Sequence, residues 1–467
     1  MNASMGRFAG VCPGRLRKPW HGSFIMRPAF PASPVSMTRQ LTRLRWRARQ
    51  SLKPLQGLLR SVESRGLIGT WQASLERLRA RGQAPLPPVK TTGAPKGPAS
   101  QDPRRARGKV LVIDAEAPDA TRDSGSVRMG RMLELMRELG WEVVFMPDNS
   151  RLSPVSHAYL SRLGVALVGV PGSPRLDHWL HQHGNSLHAS ILCRHHVAAA
   201  HVDLIRAYSN GRVIFDTVDL HHLREQRAAV LRQDPRLARQ AEATRAQELA
   251  LMRRSDVTLV VSETERTLLA AELPDVDVRV LSNIHDVAAG TRNYAQTEGM
   301  YFIGGYSHHP NQEALQWLVE DIYPLVRQAR PEIRLHLIGD IPDQEVPRFA
   351  GPGITVHGHV ESIEPFLSRC RLSLAPLLSG AGVKGKINQA MSHGIPVVAT
   401  PIAAEGMFLV DGLNALIAAD AAAFATAIIR LYDDESLWQQ LSANGYRNIL
   451  DHFSSTAARG TLQHLLT

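Results

Sequence analysis

Residues 375–407 read APLLSGAGVKGKINQAMSHGIPVVATPIAAEGM, and their order decides the fold. The short run Leu372–Ala375 reads as a buried strand that stops at Pro376. A loop carrying Gly380, Gly382 and Gly385 then leads into a helix from about Lys386 to His393, and Pro396–Ala399 reads as the next strand. Strand, glycine loop, helix, strand is one turn of a parallel α/β sheet. Glycine lets a backbone approach a ligand closely, and the first turn of a helix offers unpaired N–H groups to an anion. Lys384 and Lys386 add positive charge at the same place. The segment therefore reads as a cradle for a diphosphate, whose growing charge on bond cleavage fixed cations stabilise. The competing reading leaves both lysines in solvent and the glycines in an ordinary turn.

Outward from this segment the alternation repeats. Upstream, Val110–Asp114, Glu142–Met146, Val165–Val170, Ser190–Cys193, Val213–Asp216, Val257–Val261 and Val278–Leu281 read as strands with helical stretches between most of them. After the polar stretch Asp286–Gly299 the series restarts with Met300–Ile303, Arg334–Ile338 and Ile354–Val356. The expected architecture is α/β, with two Rossmann-like βαβ domains at 108–290 and 291–467 facing a central cleft. In such sheets ligands sit where the carboxyl ends of the strands and the helix N-termini point. From Leu437 to Thr467 the pattern is helical, with Trp438, Leu441, Leu450, Phe453 and Leu465 as expected core positions.

A chain of 467 residues exceeds one ordinary core. Its 44% hydrophobic and 21% charged content suits a globular protein. No apolar run approaches the ~20 residues of a spanning helix, and no signal peptide is evident. Cys12, Cys193 and Cys370 are far apart and odd in number, which argues against a disulfide framework or a zinc site and suits a reducing cytoplasm. The net charge of +11 is uneven: residues 1–107 hold 21 Lys/Arg and 3 Asp/Glu, while the remainder is net −7. Residues 1–36 read as disordered, with Met26 and Met37 as later candidate starts. Residues 37–82 read as a basic amphipathic helical extension, with Leu41, Leu44, Leu55, Leu58 and Val62 at helical spacing beside Arg39, Arg43, Arg45, Arg47 and Arg49. Residues 83–107 read as a Pro/Gly-rich linker. Such an extension fits an anionic membrane surface. No nucleic-acid module is recognisable, so no nucleic-acid partner is expected.

Other motifs stand in a set order. They are Asp123-Ser-Gly-Ser126, FDTVDLH at 215–221, VSETE at 261–265, LSNIH at 281–285, FIGGYSHHPN at 302–311 and GHV at 358–360. With GAGVKGKINQAMSHGIPVVAT at 380–400 the set resembles glycosyltransferase family 4, the glycosyl transferases group 1 proteins, over most of 109–465. The resemblance implies a GT-B fold, a nucleotide-sugar donor held mainly by the rear domain, retention of anomeric configuration, and no bound metal or other cofactor. It also implies two glutamates with seven residues between them, and here the matching positions are Ala381 and Gln389. This marks a divergent branch, with Glu405 as a candidate substitute carboxylate.

The expected donor-binding set is Gly304, Gly305, His308, Asn311, Lys384, Lys386, Gln389, Glu405 and Gly406. Asn311 equally reads as a helix cap. Asp123, Ser124, Gly125 and Arg128 open the first helix and read as cleft-lining, or as a plain N-cap. Asp219, His221 and Arg224 crowd one strand end, where Asp219 or His221 could orient or deprotonate an acceptor hydroxyl. Asp219, His221 and Lys386 are thus the candidate catalytic residues. The expected activity is a retaining glycosyltransferase moving a sugar from a UDP- or GDP-sugar to a cell-surface polysaccharide or lipid-linked glycan precursor, peripheral at the cytoplasmic face of the membrane. The alternatives are a non-catalytic GT-B subunit and another GT-B enzyme, an epimerase or an inverting transferase.

Overall fold

The computed structural model describes residues 38–51, 107–119, 124–287 and 292–467. The front sheet contains β1 (Lys109–Asp114), β2 (Glu142–Pro147), β3 (Ala166–Leu167), β4 (Leu187–Cys193), β5 (Arg212–Asp216), β6 (Val257–Val260) and β7 (Val278–Val280). The rear sheet contains β8 (Met300–Ile303), β9 (Leu335–Ile338), β10 (Ile354–Gly358), β11 (Leu372–Ala375), β12 (Val397–Ala399) and β13 (Leu416–Ile417). The orders are β3-β2-β1-β4-β5-β6-β7 and β10-β9-β8-β11-β12-β13. Every pairing between these strands is parallel. Parallel strands covered by helices on both faces must be apolar throughout, which is why Val110–Ile113 are wholly buried. Strand order reverses between β1 and β4 and again between β8 and β11, so each sheet opens a crevice at those strand ends. The expected α/β, two-Rossmann GT-B arrangement is what the chain adopts.

Several details differ from the sequence reading. β3 is two residues long because Gly169 takes φ +76° and turns the chain away from the sheet. β13 is a two-residue edge strand, too short to give a hydrophobic pattern. Trp438, Leu441, Phe453 and Leu465 are buried as expected, but Leu450 is 44% exposed. The last helix, Ser455–Leu466, does not stay with the rear half. Its Ala458, Leu462, Leu465 and Leu466 complete a front-sheet core around Met132, Leu133 and Met136. The crossing is pinned where His285 N–H donates to the Phe453 carbonyl at 2.8 Å. The front lobe is therefore built from two separate segments, unlike a simple division at 290/291.

The basic extension also differs. Residues 1–36 and 83–106 lie outside the described residues, as do residue 37 and residues 52–82. Residues 38–51 form a helix docked on the front lobe. Trp46 enters the same core as Trp179, Val202 and Ile205, and its Nε1–H donates to His201 Nδ1 at 3.1 Å. Arg43 and Arg47 both donate to Asp177 Oδ2, at 2.8 and 2.7 Å. Burial works against the Asp177 charge, but the two guanidiniums outweigh it and hold its pKa down at about 2. Two of the five arginines expected on the cationic face are thus paired with a buried carboxylate, and Leu41 and Leu44 are left on the outside. Among the described residues no helix is long and apolar enough to cross a membrane.

Trp46→Ala removes a buried indole and its hydrogen bond. It should lower unfolding free energy by about 3 kcal/mol, read from urea midpoints. An unchanged midpoint would show that the helix does not dock.

Candidate functional site

The rear lobe meets the front lobe through positions without side chains. A β-carbon on Gly385 would lie 2.3 Å from Ser124 Cβ, and one on Gly382 would lie 3.0 Å from Asp219 Cβ. One on Gly406 would lie 2.7 Å from Ser262 Cβ, and Gly406 also has φ +71°. The glycines therefore admit the facing lobe at van der Waals distance. Helix Gly385–Ser392 begins against this contact, with Lys384 at its N-cap position.

Both lysines face the interior of this junction. Lys384 is buried and its Nζ donates to the Gly382 carbonyl at 2.6 Å. Burial lowers its pKa to about 8, against the opposing charge of Glu405. Lys386 Nζ donates to Asn311 Oδ1 at 2.8 Å and lies 4.4 Å from the centroid of the Phe302 ring. Loss of hydration lowers its pKa to about 7. Asn311 is buried, and its Nδ2 donates to the Gly305 carbonyl at 2.9 Å, so it ties the Gly304-Gly305 loop to Lys386 rather than acting as a cap. A β-carbon on Gly304 would meet Asn311 Cγ at 2.7 Å, which explains that glycine. His308 sits exposed at the N-cap position of helix His309–Trp317, near enough to Arg224 and Lys386 that their charges, after burial, lower its pKa. Gln389 is half-buried one turn along helix Gly385–Ser392, and Ala381 is half-buried in the loop before it.

Glu405 is not free. Arg227, from front-lobe helix His221–Arg232, pairs with it at 2.7 Å and donates to the Gly380 carbonyl at 2.7 Å. One front-lobe side chain thus holds both rear loops. No sequence signal marked Arg227, because it occupies an ordinary helical position.

On the front side Asp219 and His221 are together, with His221 Nδ1 3.0 Å from Asp219 Oδ1. Arg224 pairs with the other Asp219 oxygen. Burial opposes the Asp219 charge, but His221, Arg224 and Arg194 outweigh it and keep its pKa below the usual range. Beneath them lies Glu265, from VSETE, accepting from the Val261 and Leu220 N–H groups. Burial, with Asp219 adding, raises its pKa to about 7. Glu248 is fully buried and caps helix His221–Arg232, accepting from the N–H groups of His221 and His222 at 3.0 and 3.2 Å. His195, His221 and Glu248 bring ligand-type atoms within 4.8 Å of one another, but these capping bonds already account for the carboxylate.

The first-helix residues divide. Asp123 lies outside the described residues. Ser124 and Gly125 start helix Ser124–Glu138 at the lobe junction. Arg128 does not line the cleft. It is 2% exposed and donates to both oxygens of Asp216 at 2.7 and 3.1 Å and to the Leu281 carbonyl. It faces inward from a buried stripe shared with Met129, Met132 and Met136.

The glycine loops thus bring Lys384 and Lys386 to the place where two Rossmann lobes meet. Residues 298–434 match the family described as glycosyl transferases group 1. Over that segment the rear lobe resembles a group 1 glycosyl transferase. Among solved structures, this chain is similar to Anabaena HepE in complex with UDP, with TM-score 0.58 and 13% identity over 77% of this chain and 99% of that one. It is similar to sucrose-phosphate synthase from Thermosynechococcus elongatus, with TM-score 0.57 and 16% identity over 77% and 98%. At such identities the likeness shows the fold. An uncharacterized 44.6 kDa protein in the cps region of Klebsiella pneumoniae is 26% identical over 163 residues, 33% of this chain. The match spans 42% of that relative's length.

Gly385→Ala should force the lobes apart and lower the urea unfolding midpoint. Adding Ser124→Gly, which removes the clashing atom, should restore most of it. Failure of the second change to rescue would mean the contact is not what the glycine serves.

Proposed function

We propose that the transferase moves a sugar from a UDP- or GDP-sugar to a cell-surface polysaccharide or lipid-linked glycan precursor, with retention of configuration. One observation carries this reading: Lys384 and Lys386 flank the first residue of a helix that begins against Ser124 of the opposite lobe, beside a loop that meets Asp219. Two ammonium groups and free helix N–H groups stabilise the charge that builds on a departing diphosphate. In this reading Gln389 hydrogen-bonds ribose hydroxyls, and the Glu405–Gly406 loop, which Arg227 steadies, meets the donor sugar or phosphate. Gly304, Gly305, His308 and Asn311 form the neighbouring wall of the donor site. Asp219 and His221 orient the acceptor hydroxyl, with Arg224 fixing the Asp219 carboxylate. Retention follows the family resemblance, and no metal or other cofactor enters the scheme.

The choice of donor is supported by HepE, whose structure is described in complex with UDP-glucose. The choice of acceptor class is supported by the cps region from which the Klebsiella relative comes. A peripheral position at the inner face of the membrane is supported by the outer face of helix 38–51, where Leu41 is 48% and Leu44 is 60% exposed beside exposed Arg45. The non-catalytic reading has one observation in its favour, Ala381 where relatives carry a carboxylate. Incubation with a panel of UDP- and GDP-sugars and lipid-linked acceptor separates the two: nucleotide release supports transfer, and binding without release supports a scaffold.

Lys386→Ala should lower turnover by about 10²–10³-fold with an unchanged melting temperature, checked by nucleotide release and calorimetry. An unchanged rate removes Lys386 from the mechanism. The lysine pKa values near 7 and 8 give a second expectation. Below them both amines are charged and bind a diphosphate; as pH rises through them the empty site loses charge. A bound diphosphate favours the protonated amines, so UDP binding should take up protons near pH 8 and weaken between pH 7 and 9. Calorimetry in buffers of different ionisation enthalpy reads this uptake, and a pH-independent affinity would contradict it.

A further inference from the structure

Three front-lobe helices converge beside the strand end that carries Asp219. β4 ends at Cys193 and helix His195–Tyr208 begins just beyond it; β5 ends at Asp216 and helix His221–Arg232 begins beyond that. The two strands are parallel neighbours, so the first residues of both helices come side by side. The rings of His195 and His221 stand edge to face, with centroids 4.8 Å apart. Helix Pro235–Arg254 packs on both helices and brings up Glu248. Glu248 Oε1 lies 3.6 Å from His221 Nδ1 and 3.9 Å from His195 Nδ1, and one donor atom from each of the three residues lies within 4.8 Å of the other two.

The capping bonds explain why Glu248 is buried, but they do not explain its neighbours. His222 occupies Glu248 Oε2, whereas Oε1 accepts the His221 N–H and keeps room for a second partner. His195 holds a buried Nδ1 with no hydrogen-bond partner beside that oxygen. Glu225, one turn along from His221, holds a buried Oε2 that is also unpaired, and its charge acts on His195. Each such orphaned group costs about 1–3 kcal/mol unless something meets it. Burial, with the charge of His221 adding, lowers the His195 pKa, so at pH 7 the ring is neutral, the form that ligates a metal. Nearby cations are already matched, Arg224 to Asp219 and Arg194 to Asp114, which leaves Glu248 and Glu225 to balance a double positive charge. Zinc bonds of about 2.1 Å at tetrahedral angles hold ligand atoms about 3.4 Å apart, so each carboxylate-to-imidazole gap closes by no more than about 0.5 Å, and ring rotation closes the rest. Two imidazoles and one carboxylate suit zinc rather than magnesium or calcium, and leave a fourth position open.

We propose that His195, His221 and Glu248 bind one zinc-class divalent cation, and that the bound cation inhibits transfer by withdrawing His221 from Asp219. His221 Nδ1 now lies 3.0 Å from Asp219 Oδ1. A metal takes the lone pair of that nitrogen, so the ring proton must sit on Nε2 and the contact with Asp219 is lost. The inhibitory role rests on the transferase reading, whereas metal binding does not.

The test uses the full chain without an affinity tag, stripped with EDTA and titrated with Zn2+ against a chromophoric chelator. One equivalent should bind, and His195→Gln should weaken it at least about tenfold. A surface control, His178→Gln with His181→Gln, should leave it unchanged. Equal melting midpoints of the metal-free chains show that His195→Gln folds. Co2+ in place of zinc should give the strong visible absorption of a four-coordinate site, absent in His195→Gln, and excess Mg2+ or Ca2+ should displace neither ion. With nucleotide sugar and acceptor present, one equivalent of Zn2+ should slow nucleotide release at least about tenfold. EDTA should restore the rate, and His195→Gln should resist the metal. Absence of a tight equivalent, or one that survives in His195→Gln, overturns the site. Zinc that binds through His195 without slowing release overturns the inhibitory role. If the metal-free chain releases no nucleotide while zinc still binds through His195, the transferase reading fails and the metal site stands.

Discussion

The close approach of two lobes at three glycines is the constraint on which the rest of the molecule depends. Gly382, Gly385 and Gly406 let the rear loops rest on Asp219, Ser124 and Ser262. Lys384 is buried beside that contact, and loss of hydration lowers the pKa of both its amine and that of Lys386. A cation in open water would be screened and worth little; the same cation between two lobes acts in a medium of lower effective dielectric. The front lobe reinforces the contact through Arg227, which reaches Glu405 and the Gly380 carbonyl together.

The two lobes use the same architecture for different purposes. Each sheet reverses its strand order beside its first strand, and each crevice so formed is lined by loops free of sheet bonding. In the rear crevice glycine loops and lysines make a positive surface. In the front crevice Arg194 and Asp114 cancel one another and leave a polar but nearly neutral hollow. Behind it the Arg128–Asp216 pair locks the first helix to β5 with every Asp216 oxygen engaged, so buried charge there serves rigidity. The returning helix Ser455–Leu466 and the docked helix 38–51 close the two faces of the front sheet. The front lobe is thus assembled from chain segments far apart in sequence.

Much of this was legible from local pattern. Apolar runs separated by helical periods gave the βαβ alternation, because strands buried on both faces need apolar residues at every position. The glycine-lysine segment marked a loop of close approach, because only glycine admits the facing lobe there. Lys386 with Asn311, and Asp219 with His221, stand together as their motifs suggested. Glu265 was within a quoted motif, yet nothing in VSETE distinguishes a buried carboxylate from an exposed one.

Sequence by itself determined the element types and the two-sheet architecture, since each is written in periods of a few residues. Only the tertiary structure decided that Arg128 is interior, that Glu405 belongs to Arg227, that Arg43 and Arg47 converge on Asp177, and that Arg194 bridges to Asp114. A charged residue looks the same in sequence whether it meets solvent, a ligand or a partner 80 residues away. Its partner is fixed by how the lobes pack, and packing is a property of the whole chain.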